Sequence, residues 1–240
     1  MKVAIIGYGK MGKEVEKIAL SLGHEIIIIL DDQPLNDQNV EILAKADLAI
    51  EFTCPEAAVN NYYLCFDLGL AVVSGTTGWL DKFEEVKRKC VEEGHSFFYS
   101  SNFSLGVNIF YELNKKLARI MSNYENYNVS IKEVHHKEKI DKPSGTAITL
   151  ADDISANNMN KEKWILGKSD RKDEISITAV REENITGSHF VKYDSDIDSI
   201  EISHIAKNRK GFAAGVIIAA EFLAGKTGFY GMEDLLGSGD

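Results

Sequence analysis

The stretch Val3-Ala4-Ile5-Ile6-Gly7-Tyr8-Gly9-Lys10-Met11-Gly12 decides the fold of the first half of this chain. Four apolar residues in a row read as a short strand, and Gly7 stops it. A GxGxxG spacing alone is common. Here it leaves a strand and opens a helix pattern from about Met11 to Leu22, the context a dinucleotide-binding turn requires. The glycines permit a tight turn and close backbone approach, and the helix N-terminus offers N–H groups to a pyrophosphate. The expected nucleotide contacts are therefore Gly7, Gly9, Lys10, Met11 and Gly12, with Lys10 adding positive charge.

Working outward, Glu25 to Leu30 holds four consecutive isoleucines and reads as a fully buried strand. Asp31 and Asp32 close it, 24 and 25 residues after Gly7. A carboxylate there accepts hydrogen bonds from ribose hydroxyls and repels a 2′-phosphate. No Arg or Lys occurs from Asp31 to Val40. These residues predict NADH as the preferred coenzyme, with NADPH as the alternative; Asp32 could equally serve only to end the strand. A short helix around Val40 to Lys45 leads to a strand at Leu48 to Thr53. Pro55 opens a helix to about Asp67, Ala71 to Val73 is a strand, and Leu80 to Val91 is an amphipathic helix. Ser96 to Tyr99 is the last strand expected in this half. Repeated βα units give a Rossmann-like, doubly wound parallel sheet. Ligands bind at the carboxyl ends of such strands, which adds Phe52, Thr53, Gly75, Thr76 and Thr77 to the expected coenzyme site.

The rhythm then changes. Leu105, Ile109, Leu113, Leu117 and Ile120 mark a long helix, and Val129 to His135 alternates as a strand. A helix runs from Thr146 to about Ala156. After a polar, less regular stretch, strands follow at Ile175 to Arg181, Ser188 to Tyr193 and Ser199 to Ile205. An apolar helix from Phe212 to Leu223 and a Gly-rich tail close the chain. The pattern predicts a smaller α+β domain with a mixed or antiparallel sheet, beginning near Asn102-Phe103-Ser104.

The chain has 240 residues and a formal net charge of -10, which disfavours nucleic acid and anionic membranes as partners. The opening apolar run is too short for a secretory leader, and no apolar run reaches transmembrane length. Three cysteines, Cys54, Cys65 and Cys90, form no pairing or zinc motif. The expectation is a cytoplasmic protein in a reducing compartment.

Against that acidic background, His135-His136-Lys137-Glu138-Lys139 and Pro143-Ser144-Gly145-Thr146 stand out. A strand end brings two histidines and a lysine next to a helix start. Ser144, Gly145 and Thr146 present hydroxyls and amides to a carboxylate. His135 or Lys139 can deliver a proton. No metal is expected, because adjacent histidines on a strand point to opposite faces and no third ligand is evident. His24, His95 and His204 read as structural, and His189 carries no derivable role. A solvated charged loop, another Rossmann dehydrogenase or a nucleotide-sensing regulator are the competing readings. The regulator needs only the first half and leaves His135 and Lys139 idle.

Glu133-x-His135-His136-x-x-Lys139-x-Asp141-x-Pro143-Ser144-Gly145-Thr146-Ala147 resembles the signature of the 4-hydroxy-tetrahydrodipicolinate (dihydrodipicolinate) reductase family. The likeness runs the length of the chain, through Ser101-Asn102-Phe103-Ser104-x-Gly106-Val107-Asn108, Arg181, Gly187-x-His189 and Gly225-Lys226-x-Gly228-x-Tyr230-x-Met232. The resemblance implies NAD(P)H-dependent reduction of a heterocyclic dicarboxylate in the diaminopimelate route to lysine. It implies His135 and Lys139 in acid–base work, without deciding which gives the proton. It also implies His136, Lys139, Gly145 and Thr146 at the substrate carboxylates, next to the Ser144 read from the helix start, and Ser101, Asn102 and Phe103 at the coenzyme. It further implies a discontinuous coenzyme domain, 1–103 with 216–240, a substrate-binding and oligomerisation domain, 104–215, and a homotetramer. The sequence departs from the family in a short crossover between Asp32 and Asp47, in Cys54 where some relatives are basic, and in Ile218 where some carry arginine.

Overall fold

A computed structural model describes residues 1–31, 36–208 and 210–237. In chain order, β1 (Lys2–Ile6), α1 (Lys10–Ser21), β2 (Glu25–Leu30), α2 (Asp37–Leu43), β3 (Leu48–Glu51), α3 (Pro55–Asp67), β4 (Ala71–Ser74), α4 (Phe83–Glu92) and β5 (Ser96–Tyr99) come first. Next are α5 (Leu105–Met121), β6 (Asn128–His136), α6 (Gly145–Asn157), β7 (Lys163–Leu166), β8 (Glu174–Glu182), β9 (Gly187–Asp194) and β10 (Ser199–Ala206). The chain ends with α7 (Lys210–Leu223), β11 (Gly228–Tyr230) and α8 (Met232–Leu236). Packing divides it into two compact units, Met1–Leu105 with Lys210–Asp240, and Gly106–Arg209. The sequence reading put the second boundary at 215/216; α7 instead runs unbroken from Lys210, and its buried face begins at Ala213.

The first unit contains a six-stranded, all-parallel sheet of order β11-β5-β4-β3-β1-β2. Period-2 alternation along β1 sends Val3 and Ile5 to one face and Ala4 and Ile6 to the other. The Val3 face packs on Val15 and Ala19 of α1 and on Val216, Ala220 and Leu223 of α7. The Ala4 face packs on Leu43, Tyr62, Phe66 and Val86 from α2, α3 and α4. Each fully buried aliphatic side chain contributes about 1.5–3 kcal/mol. Gly215 lets α7 lie against the chain at Phe103, since a Cβ there would overlap the Phe103 carbonyl.

One expectation is corrected here. The isoleucines of β2 do not form a fully buried strand. β2 is the sheet edge, pairs only with β1, and leaves Ile26 to Ile29 half-buried. Ser96–Tyr99 is the last strand of the first half, as expected, and the Gly-rich tail adds a strand that the sequence did not display, β11, beside β5. Gly228, at φ 129°, allows that return.

The second unit holds a mixed sheet of order β10-β9-β6-β8-β7. β9 pairs antiparallel with β6 and β10, and β8 pairs parallel with β6 and β7. The stretch read as irregular contains β7, a short edge strand too brief to show a period. One face of the sheet buries Val129, Ile131, Ile175, Ile177, Val191 and Tyr193 against Phe110 and Ala118 of α5 and Leu150 and Ile154 of α6.

Candidate active site

In the first unit, β1 leaves for β2 on one side and for β3 on the other, so the strand order switches between β1 and β3. Ligands of open α/β sheets sit at such a switch, outside the carboxyl ends of the strands. Gly7 turns there with φ 92°, and a Cβ on it would overlap the Phe52 carbonyl. Gly12 packs on the Gly7 carbonyl. A Cβ on Gly9, in contrast, would meet no described atom within 4 Å. Gly9 caps α1 with no side-chain bond, and no acidic residue occupies the first turn. The first turn thus presents amides and open space to an anion, which fits a pyrophosphate. Lys10 is exposed beside it and Met11 is half-buried.

Asp31 is exposed at the end of β2, and its Oδ1 accepts a hydrogen bond of 3.1 Å from the Tyr8 amide. One carboxylate oxygen thus braces the glycine turn. Asp32 lies outside the described residues.

The loops after β3 and β4 are tied together by a residue the sequence reading passed over. Glu51 is 1% exposed. Its carboxylate accepts from the Thr53 amide (3.1 Å), the Thr53 hydroxyl, the Thr76 hydroxyl (3.0 Å) and the Ser74 hydroxyl (2.8 Å). Tyr62, whose hydroxyl burial pushes well above its usual range, lies 2.7 Å from Ser74 Oγ. A Cβ on Gly75 would collide with the Phe52 ring, so the two loops touch through that glycine. Thr77 and Ser101 are exposed, and Asn102 is half-buried. Phe103 is a core residue, 2% exposed, with its ring 5.9 Å from those of Phe52 and Phe98.

In the second unit the aliphatic sheet face turns polar at one end. Along β6, Val129 and Ile131 are followed on the same face by Glu133 and His135. Register places Arg181 beside His135, and His189 beside Glu133 and His204. Glu133 is 0% exposed, and His135 and His189 are also buried. One Glu133 oxygen contacts His135 Nδ1, and the other lies 2.9 Å from Arg181 Nη1. Burial alone would raise the Glu133 carboxyl, but the hydrogen bonds from His135 and Arg181 outweigh it and hold the group below its ordinary range. His135 Nε2 lies where a Cβ on Gly187 would come within 3.0 Å.

Above this end of the sheet, Ser144 caps α6 by accepting from the Ala147 amide at 3.3 Å. The amides of Gly145 and Thr146 precede the first intrahelical donor, and Gly145 is exposed with open space around it. His189 Nε2 is 3.1 Å from Ser144 Oγ, and burial followed by the charge of His135 pushes His189 down to about 3. Lys139 is half-buried with Nζ 2.8 Å from Asp141 Oδ2. His136 points to the other sheet face and pairs with Glu138 at 2.9 Å. The strand thus separates His136 from His135, while Lys139, Ser144, Gly145 and Thr146 share the turn and helix start.

His135 joins a group of possible metal ligands that does not include His136. Ligand atoms of Glu133, His135 and His189 lie within 4.8 Å of one another. The third group comes from a neighbouring strand, which sequence spacing does not display. The Arg181 guanidinium already neutralises Glu133 and opposes a cation there. Glu133, Arg181 and His189 are the site residues that sequence reasoning left without a role. The available signal was a polar residue at a core-facing position of an alternating strand. Of the histidines read as structural, His24 Nε2 pairs with Glu221 at 3.1 Å and His95 stacks on Phe66. His204 packs on Phe110.

No helix among the described residues is long and apolar enough to cross a membrane. Residues 1–103 match the family model described as dihydrodipicolinate reductase, N-terminus, and residues 106–236 match its C-terminus. A Christiangramia forsetii protein named 4-hydroxy-tetrahydrodipicolinate reductase is 49% identical over 98% of both chains. A Methanoculleus marisnigri protein of the same name is 38% identical over 80% of this chain and 77% of its own. The fold is that of a dipicolinate-bound dihydrodipicolinate reductase from Paenisporosarcina sp. TG-14, with a TM-score of 0.78, 24% identity and 98% coverage of both chains. With both of its units matched by these family models and a close relative over nearly its whole length, the chain belongs to the dihydrodipicolinate reductase family, which is pyridine nucleotide-dependent.

Proposed function

We propose that this chain reduces 4-hydroxy-tetrahydrodipicolinate to tetrahydrodipicolinate, with NADH preferred over NADPH. Family membership supports the reaction. The observation that carries the site is His135, held through Nδ1 by a buried carboxylate, on the sheet end that also carries the α6 N-terminus. A proton carrier and an anion-binding helix start are thereby built on one rigid scaffold.

The coenzyme, when bound, supplies a hydride to the substrate ring. The α1 amides with Gly7, Gly9, Lys10, Met11 and Gly12 hold its pyrophosphate. Asp31 accepts from the adenosine ribose hydroxyls and repels a 2′-phosphate, which supports the NADH preference. Phe52, Thr53, Gly75, Thr76 and Thr77, braced by Glu51, line the nicotinamide side with Ser101, Asn102 and Phe103. His135 in its imidazolium form delivers a proton from Nε2 and is left as the Nδ1–H ring that Glu133 holds, and Lys139 supports that transfer while holding a carboxylate. Gly145 and Thr146 give amide donors to the same carboxylate, with Ser144 fixing their helix end and His136 as a further polar group at the end of β6. Substrate capture by Lys139 exchanges its Asp141 partner for the ligand. We assign coenzyme binding to the first unit, and substrate binding and homotetramer assembly to the second.

Pyridine-2,6-dicarboxylate tests the substrate site. It should inhibit competitively, and Lys139→Ala should weaken it while lowering kcat. Absence of inhibition at millimolar concentration would remove the dicarboxylate site. His135→Ala should lower kcat by roughly 10²–10⁴-fold.

A further inference from the structure

We propose that Glu133 and Arg181 are positioning residues that act together, fixing the tautomer of His135 and the placement of the turn carrying Lys139. The inference rests on the roles given above to His135 and Lys139.

Glu133 is fully buried, and the Arg181 side chain is 8% exposed. An ionised carboxylate only accepts hydrogen bonds, and a guanidinium only donates them. Arg181 Nη1 donates to one Glu133 oxygen at 2.9 Å. The other oxygen contacts His135 Nδ1, so Nδ1 carries the ring proton. Nε2 is then the atom left for exchange, and Gly187 gives it room. Holding one ring nitrogen in this way is how an imidazole is oriented and kept in one tautomer.

The same guanidinium reaches the turn. Arg181 Nε donates to the Lys139 carbonyl at 3.2 Å and Nη2 to the Asp141 carbonyl at 2.5 Å. One planar cation therefore sets both the strand-borne histidine and the backbone that carries the lysine. A lysine at 181 lacks the planar fork needed to make these bonds together.

Glu133→Gln is the discriminating variant. Its amide oxygen accepts from Arg181, which turns its NH2 toward His135 Nδ1 and forces the ring proton to Nε2. In 15N-histidine spectra of the full-length protein, assigned with His135→Asn, the His135 tautomer should switch. kcat should fall roughly tenfold to hundredfold, with KM for substrate changed less than about twofold. Glu133→Asp keeps charge and acceptor, and should retain the native tautomer with a smaller loss in kcat. Arg181→Lys should lower kcat and also weaken pyridine-2,6-dicarboxylate binding, because the turn loses its clamp. An unchanged tautomer with unchanged kcat in Glu133→Gln would overturn the proposal, and so would equal losses in Glu133→Asp and Glu133→Gln. Full turnover by His135→Ala would instead sink the assigned role of His135, while the spectra would still report whether Glu133 sets the ring.

Discussion

Nε2 of His189 lies 3.1 Å from Oγ of Ser144, the residue that caps α6. A buried ring from the middle of the sheet thereby supports the helix end assigned to the substrate carboxylate. Burial pushes His189 down to about 3, whereas the unfolded chain protonates a histidine near 6.5. Unfolding below pH 6.5 therefore takes up a proton. Stability contributed by the neutral ring is fully present above about 6.5 and is lost as pH falls toward 3, at up to about 1.4 kcal/mol per pH unit. Urea unfolding across this window should show a steeper pH slope for the native sequence than for His189→Gln. Equal slopes would mean that the ring does not resist protonation.

Glu51 answers four donors, from two loops and the end of β4, with one carboxylate. Glu51→Gln keeps the shape but faces some of those donors with an NH2 group. The expected cost is about 1–3 kcal/mol in unfolding free energy. Coenzyme binding should weaken as well, because the Thr53 and Thr76 loops lose their common anchor. Denaturant titration and NADH fluorescence read the two effects separately. Lowered stability with unaltered NADH affinity would detach this network from the coenzyme site.

Gly75 leaves no room for a side chain beside Phe52. Gly75→Ala should destabilise the first unit by about 1–3 kcal/mol through overpacking, and raise the KM for NADH. Adding Phe52→Leu should recover much of the stability. If the double variant is no more stable than Gly75→Ala, the cost of the alanine lies elsewhere.

Asp31 is expected to set coenzyme choice. The native protein should show a higher kcat/KM with NADH than with NADPH, and Asp31→Ser should narrow the ratio by roughly tenfold, the equivalent of about 1.4 kcal/mol. A native preference for NADPH would contradict the assignment of Asp31.

The parallel sheet was legible because Val3 to Ile6, Leu48 to Ile50 and Ala71 to Val73 are short apolar runs set between helical periods. β2 misled because four isoleucines look alike at an edge or a centre; burial there depends on a neighbouring strand, not on composition. β7 and β11 are four and three residues long, too short for a period to emerge. The site was legible where it is contiguous, from His135 to Thr146. Glu133, Arg181 and His189 come from three strands, and only register brings them together. Glu51 was missed for a related reason. A single carboxylate ending a strand has many uses, and four donors make sense of this one only after folding.

The most direct measurement is NADH oxidation at 340 nm by the full-length protein, with 4-hydroxy-tetrahydrodipicolinate generated in situ by its synthase. The account predicts turnover that depends on the synthase product, favours NADH over NADPH, and falls by about two orders of magnitude or more in His135→Ala. No oxidation of either coenzyme, or native-level turnover in His135→Ala, would contradict it.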